Sequence, residues 1–208
     1  LDTNINQFKW GKLSYIMAEI NVTQIGKLRQ QTGAGLMDCK KALTENEGDM
    51  EEAIEWLRKK GAATAEKKSA RTTSEGVIAR KLSSDGKKGT LVEINCETDF
   101  VAKNEKFLEF CGEIAAAYSE NPEADLEEKR TTTVAEIGEN IQLTRNESLS
   151  LESSGAVAAY IHHGAKVGVL VAVATGKDET TESELFKQLL NNITLQITAA
   201  SPEALNRD

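Results

Sequence analysis

The chain has few of the residues that build most catalytic centres. In 208 residues there are two histidines, His162 and His163, and three cysteines, Cys39, Cys96 and Cys111. The cysteines form no CxxC pair and leave one over in any single bridge. That excludes a disulfide framework and fits a reducing compartment. No Cys/His cluster has zinc spacing. Adjacent histidines on a strand point to opposite faces, so His162 and His163 are poor candidates to share a metal ion. There is no Walker loop, no GxGxxG and no GxSxG. Cys39 and Cys96 fall on apolar faces, where a thiol more often packs than attacks. No apolar run approaches the roughly 20 residues needed to span a membrane. These absences predict a protein that is not an enzyme, with no catalytic residues, no metal, no cofactor and no membrane partner.

What is present suits a folded protein of one or two domains. Hydrophobic residues make up 39% and charged residues 28%, ordinary values for a soluble globular chain. The net charge of -8 speaks against nonspecific nucleic-acid binding by the whole molecule. The charge is unevenly spread, however. Trp56 to Lys88 holds ten Lys or Arg against three acids, Glu66, Glu75 and Asp85. Such a stretch is either a solvated linker or a landing patch for an anion or an acidic partner.

The pattern divides the chain. Residues 1–16 carry no helical or strand period and lack the build of a signal peptide, and are read as a non-native or disordered leader. Residues 17–61 read as three short helices. Asn21 with Gln24 is a capping-box variant, and Val22, Ile25 and Leu28 mark an apolar face. Gly33 and Gly35 flank a turn, and Leu36, Cys39 and Leu43 share a second helix. Asp49 caps a third helix, in which Ala53, Ile54 and Leu57 form the buried stripe; Gly61 is placed to end it. Residues 62–75 form a basic linker, partly helical. From residue 76 to 208 the period mixes strands and helices without a βαβ rhythm, so the fold class is α+β with antiparallel strands. Val77–Leu82 and Thr90–Cys96 flank the turn pair Asp85-Gly86, which predicts a hairpin. Ile141 to Leu151, Ala156–Ile161 and Val167–Ala174 are further strand regions. Glu105–Tyr118, Glu123–Gly138 and Glu182–Ala199 have helical spacing.

One stretch stands out: Cys96-Glu97-Thr98-Asp99-Phe100-Val101-Ala102-Lys103-Asn104. It joins a strand whose Thr90, Val92, Ile94 and Cys96 point one way to a helix with Phe107, Phe110, Ile114 and Ala117 at helical spacing. A large aromatic beside a carboxylate sits at the corner. Either Thr98 or Asp99 caps the helix and Phe100 packs beneath it as a staple, or Asn104 caps the helix and Thr98–Lys103 carries Phe100 and Val101 outward toward a partner.

Three motifs carry a resemblance to a known family. Lys27-Leu28-Arg29-Gln30-Gln31-Thr32-Gly33-Ala34-Gly35-Leu36-Met37-Asp38-Cys39-Lys40-Lys41-Ala42-Leu43 closely resembles the opening of the elongation factor Ts family. Asn95 to Lys103 is similar to its central motif, and His163-Gly164-Ala165-Lys166-Val167-Gly168-Val169-Leu170-Val171 to a third, in the same order. The resemblance covers Met17 to about Pro202. It implies a guanine-nucleotide exchange factor in translation elongation, cytoplasmic or in an organelle matrix, whose partner is elongation factor Tu. The first three helices would be a UBA-like domain, with Arg29, Leu36 and Met37 at contact positions. Thr98, Asp99, Phe100 and Val101 would enter the partner beside its magnesium site and dislocate the ion. Ile141 and His163 align with further contact positions. Longer family members continue beyond this chain's end, so the chain is expected to be a fragment or a short form completed as a homodimer. Two other classes compete: a UBA-type adaptor, and an RNA-binding protein using the basic stretch. The second lacks interleaved aromatics for stacking, since Trp56 stands alone there.

Overall fold

The computed structural model describes residues 21–204; the leader reading of residues 1–16 lies outside them. The first helix, α1 (Val22–Thr32), opens with the capping box read from the sequence. The Asn21 side chain accepts from the Gln24 amide at 2.8 Å, and the Gln24 side chain accepts from the Asn21 amide at 3.2 Å. Gly33 ends it at φ 69°, a left-handed angle that favours glycine. Helix α2 (Leu36–Glu45) follows, then α3 (Met50–Lys68), capped by Asp49. Ile25, Leu28, Cys39, Ala42, Leu43 and Ala53 bury together as the core of this three-helix unit.

Gly61 does not end α3. The helix runs through it to Lys68, so the first half of the expected linker is helix. Two causes outweigh the helix-breaking tendency of one glycine. Ala62, Ala63 and Ala65 are strong helix formers, and Ala65 is wholly buried in the second core, which rewards continuing the helix.

That second core begins with the expected hairpin, β1 (Glu75–Leu82) and β2 (Lys88–Cys96), antiparallel. A one-turn helix α4 (Asp99–Ala102), a long helix α5 (Glu105–Glu120) and α6 (Glu127–Ile137) come next. Strand β3 (Ile141–Ser150) then pairs with β2, giving the order β1-β2-β3. The inward face of β2 is the alternating set read from the sequence: Thr90, Val92, Ile94 and Cys96 are all buried. Phe107, Phe110, Cys111 and Ile114 of α5 and Val134 of α6 pack over it. Buried Thr90 meets its polar need by bonding Ser148 of β3 at 2.8 Å.

A second sheet of β4 (Gly155–Ile161) and β5 (Gly168–Ala174) is followed by α7 (Glu179–Glu182) and α8 (Glu184–Ala200). This sheet lies against the outer face of the hairpin. The Val157 amide donates to the Gly86 carbonyl and the Ile78 amide to the Ala165 carbonyl, each at 2.8 Å. The approach needs Gly89: a Cβ there would come within 2.7 Å of Leu170 and 2.8 Å of Val157. The arrangement is α+β with antiparallel strands throughout.

Candidate partner-binding corner

The turn from β2 into α5 carries two caps in succession. Thr98 is extended, at φ -124° and ψ 155°, and its hydroxyl accepts from the Val101 amide at 3.3 Å, starting α4. After one turn the Lys103 amide donates to the Phe100 carbonyl and the Asn104 amide to the Val101 carbonyl, closing it. The Asn104 side chain then accepts from the Lys106 and Phe107 amides and starts α5. Asn104 thus caps the long helix, as the second reading of the sequence had it; Thr98 is also a cap, but of a one-turn helix that neither reading foresaw, and Val101, expected to point outward with Phe100, does not.

This geometry fixes what points inward and what points out. Ala102 is buried and Val101 packs against the core. Phe100 is 82% exposed, so it is not a staple. An aromatic ring left in water forgoes about 1.5–3 kcal/mol of burial. Beside it, the exposed Asp99 carboxylate pairs with the Lys103 ammonium at 2.7 Å. That bond, with the charge of Lys103, holds the Asp99 carboxyl below its usual range and raises Lys103.

The corner is fastened to its surroundings by residues the sequence reading passed over. Glu139, in the turn between α6 and β3, accepts from the Glu97 and Thr98 amides at 3.1 and 3.0 Å and from the Thr98 hydroxyl at 2.7 Å. Glu97 in return accepts from the Asn140 amide at 2.6 Å. Asn140, wholly buried, donates to the Ser69 and Arg71 carbonyls and so ties in the chain leaving α3. Polar residues in a turn carry no periodic signal; only the tertiary pairing marks them.

The third sequence motif comes to the same region. His163 is exposed in the turn between β4 and β5. Ala165 in that turn sits at φ 54° and is pinned to β1 through the Ile78 amide. Lys166 pairs with Glu75 of β1, and its charge helps to lower the Asp99 carboxyl. On the three-helix unit, Arg29 is exposed, and Leu36 and Met37 are exposed at the start of α2, at 53% and 72%. Ile141 is different. It is fully buried in the second core, opposite Cys96 in the β2–β3 register, so its side chain cannot meet a partner without the core opening. Its place in the strand alternation put it on the inward face.

The family model for elongation factor Ts matches residues 97–208, and a model described as elongation factor Ts, mitochondrial, N-terminal matches residues 12–65. The chain belongs to the elongation factor Ts family. It is 44% identical over 205 residues to elongation factor Ts of Trichlorobacter lovleyi, 43% over 198 residues to that of Desulfovibrio desulfuricans, and 44% over 203 residues to that of Nautilia profundicola. Each match covers 91% of this chain and respectively 66%, 69% and 66% of the relative. The chain thus spans about two thirds of the length of the curated relatives it matches.

Cys39, Cys96 and Cys111 are buried. Desolvation pushes the Cys96 thiol up to about 11 and the Cys111 thiol to about 12, which keeps both protonated and unreactive at neutral pH. Among the described residues, no three His, Cys, Asp or Glu side chains are grouped to hold a metal ion, and no helix is long and apolar enough to cross a membrane. Much of the basic stretch is engaged internally. Arg58 and Lys59 pair with Glu55, Lys60 with Asp38, and Arg71 with Glu97, while Lys68 bonds the Gly138 carbonyl.

Proposed function

We propose that this protein is a guanine-nucleotide exchange factor that binds elongation factor Tu in its GDP state and promotes GDP release. The observation that carries the reading is the Phe100 ring, 82% exposed on a one-turn helix fixed at both ends by caps. GDP is held by its phosphates and a magnesium ion. A protein that displaces the ion needs no bond-making chemistry, so the protein is not an enzyme in that sense and calls for no cofactor of its own. It needs an apolar wedge and enough surface to favour the partner's open state. Asp99 and Phe100 face the partner, with Thr98 and Val101 completing the motif that holds them; Arg29, Leu36, Met37 and His163 add further contacts. Linkage then requires that the factor and the nucleotide weaken each other's binding by one common factor. The protein works beside the translation machinery, in a bacterial cytoplasm or an organelle matrix.

The internal pairing of the basic stretch weighs against an RNA-binding role, which would need those cations for phosphates. The test is release of labelled GDP from elongation factor Tu with and without the chain. Faster release that grows with added protein is the expected result; no acceleration at any concentration rejects the reading.

A further inference from the structure

We propose that Glu139 is the positioning residue of the wedge, holding Thr98 so that Phe100 is presented rigidly; this rests on the exchange reading above. A helix of one turn cannot hold its own shape, because nucleation fixes several residues for a single hydrogen bond. The orientation of α4 therefore comes from outside it. One side is β2. The other is the Glu139 carboxylate, which takes three donors from the corner: two backbone amides and the Thr98 hydroxyl.

The hydroxyl bond has a directional effect. Thr98 has one proton to donate, and it goes to Glu139 at 2.7 Å. That leaves an oxygen lone pair to accept from the Val101 amide at 3.3 Å, which is the cap of α4. Glu139 thus gives the hydroxyl proton its partner and holds the oxygen in place under the Val101 amide. The return bond from the Asn140 amide to Glu97 makes the tie reciprocal, so force on the wedge passes into the turn before β3. A ring pushed against another protein gains from such preorganisation, because a corner that yields spends binding free energy on its own distortion.

Glu139→Gln isolates this role. The amide oxygen can still serve the two backbone amides, but its NH2 then faces the Thr98 hydroxyl. The hydroxyl then accepts from that NH2 on one lone pair and keeps the other for the Val101 amide, but its proton loses its acceptor and the corner loses a charge-assisted anchor, so Thr98 and the cap it supplies are loosened. In the full chain, we expect faster hydrogen exchange of the Val101 amide and about tenfold slower release of labelled GDP from the GTPase, the order lost with one charge-assisted bond at a preorganised group. Because Glu139 acts through Phe100, the double variant with Phe100→Ala should release GDP no more slowly than Phe100→Ala alone. Unchanged protection of Val101, or losses that multiply in the double variant, overturns the proposal. If Phe100→Ala is slow and Glu139→Gln is not, only the positioning role falls; if the wild-type chain does not speed release, the exchange reading falls with it. Should Glu139→Gln fail to fold, Glu139→Asp keeps the charge but draws the carboxylate one carbon back from the Thr98 hydroxyl and the two amides. Slow release by that folded variant supports the role, and wild-type release rejects it.

Discussion

Phe100 and Phe107 face opposite ways across the Asn104 cap: the first is 82% exposed, the second fully buried against β2. Two rings of one residue type, held by consecutive helices, thus separate a contact role from a packing role.

The pair makes the wedge testable against its own control. Phe100→Ala removes almost no packing within the chain, so its thermal midpoint should stay within about 1 °C of wild type. GDP release should slow by about tenfold or more if the ring works in the partner's pocket. Phe107→Ala should instead cost about 3–5 kcal/mol of stability through the cavity it leaves. Thermal unfolding and GDP release, measured on both variants, give the four numbers. A folded Phe100→Ala with wild-type release removes the wedge.

Ile141 separates the core from the interface in the same way. Its side chain is fully buried and its carbonyl accepts from Arg130 at 2.8 Å. Ile141→Val should cost about 0.5–1.5 kcal/mol and Ile141→Ala about 2–5 kcal/mol, read from denaturant midpoints. Affinity for the partner, measured on folded Ile141→Val, should be unchanged. A weakened complex at full stability would restore the contact role that the family alignment assigned it.

Burial of the cysteines gives a pH dependence with a definite sign. An unfolded thiol titrates near pH 8.5, as a rough reference. The folded Cys96 and Cys111 thiols are pushed up to about 11 and about 12, mainly by desolvation. Their contribution to stability is fully present below the unfolded value. It is lost as pH rises from there toward 11 and 12, because the unfolded chain sheds protons that the folded chain keeps. Urea midpoints should fall between pH 8 and pH 10, and Cys111→Ala should fall less steeply; a level wild-type curve contradicts the assignment.

Much of this architecture was legible in the residues, and the failures share a cause. The β2 alternation, the Asp85-Gly86 hairpin and the Asn21, Asp49 and Asn104 caps depend on neighbours in sequence, and each is where the pattern put it. The outward Phe100 was one of two local alternatives, because Thr98 and Asn104 are both good caps, and only the fold shows that both are used. Glu139 and Asn140 were missed, since their partners Thr98, Glu97, Ser69 and Arg71 are distant in the chain. Ile141 was read through the family rather than through its own alternation, which placed it inward. Gly61 was read by its local tendency, and the tertiary reward for continuing the helix overrode it.

Gly61 allows that last point to be measured. Within α3 it is a helix interior residue, and a Cβ built on it would lie 3.7 Å from the Thr131 carbonyl oxygen and 3.8 Å from the Ala135 Cβ, ordinary contact distances. Gly61→Ala therefore adds a methyl without collision and removes backbone freedom from the unfolded chain. It should stabilise the protein by about 0.5–1 kcal/mol. If the glycine instead closed a helix in a left-handed turn, with a flexible linker beyond, alanine would destabilise by a similar or larger amount. The sign of the shift in the denaturant midpoint decides whether the three-helix unit is joined to the second core by rigid helix or by a loose tether. A rigid joint would hold the Leu36–Met37 surface at a fixed span from the Phe100 corner.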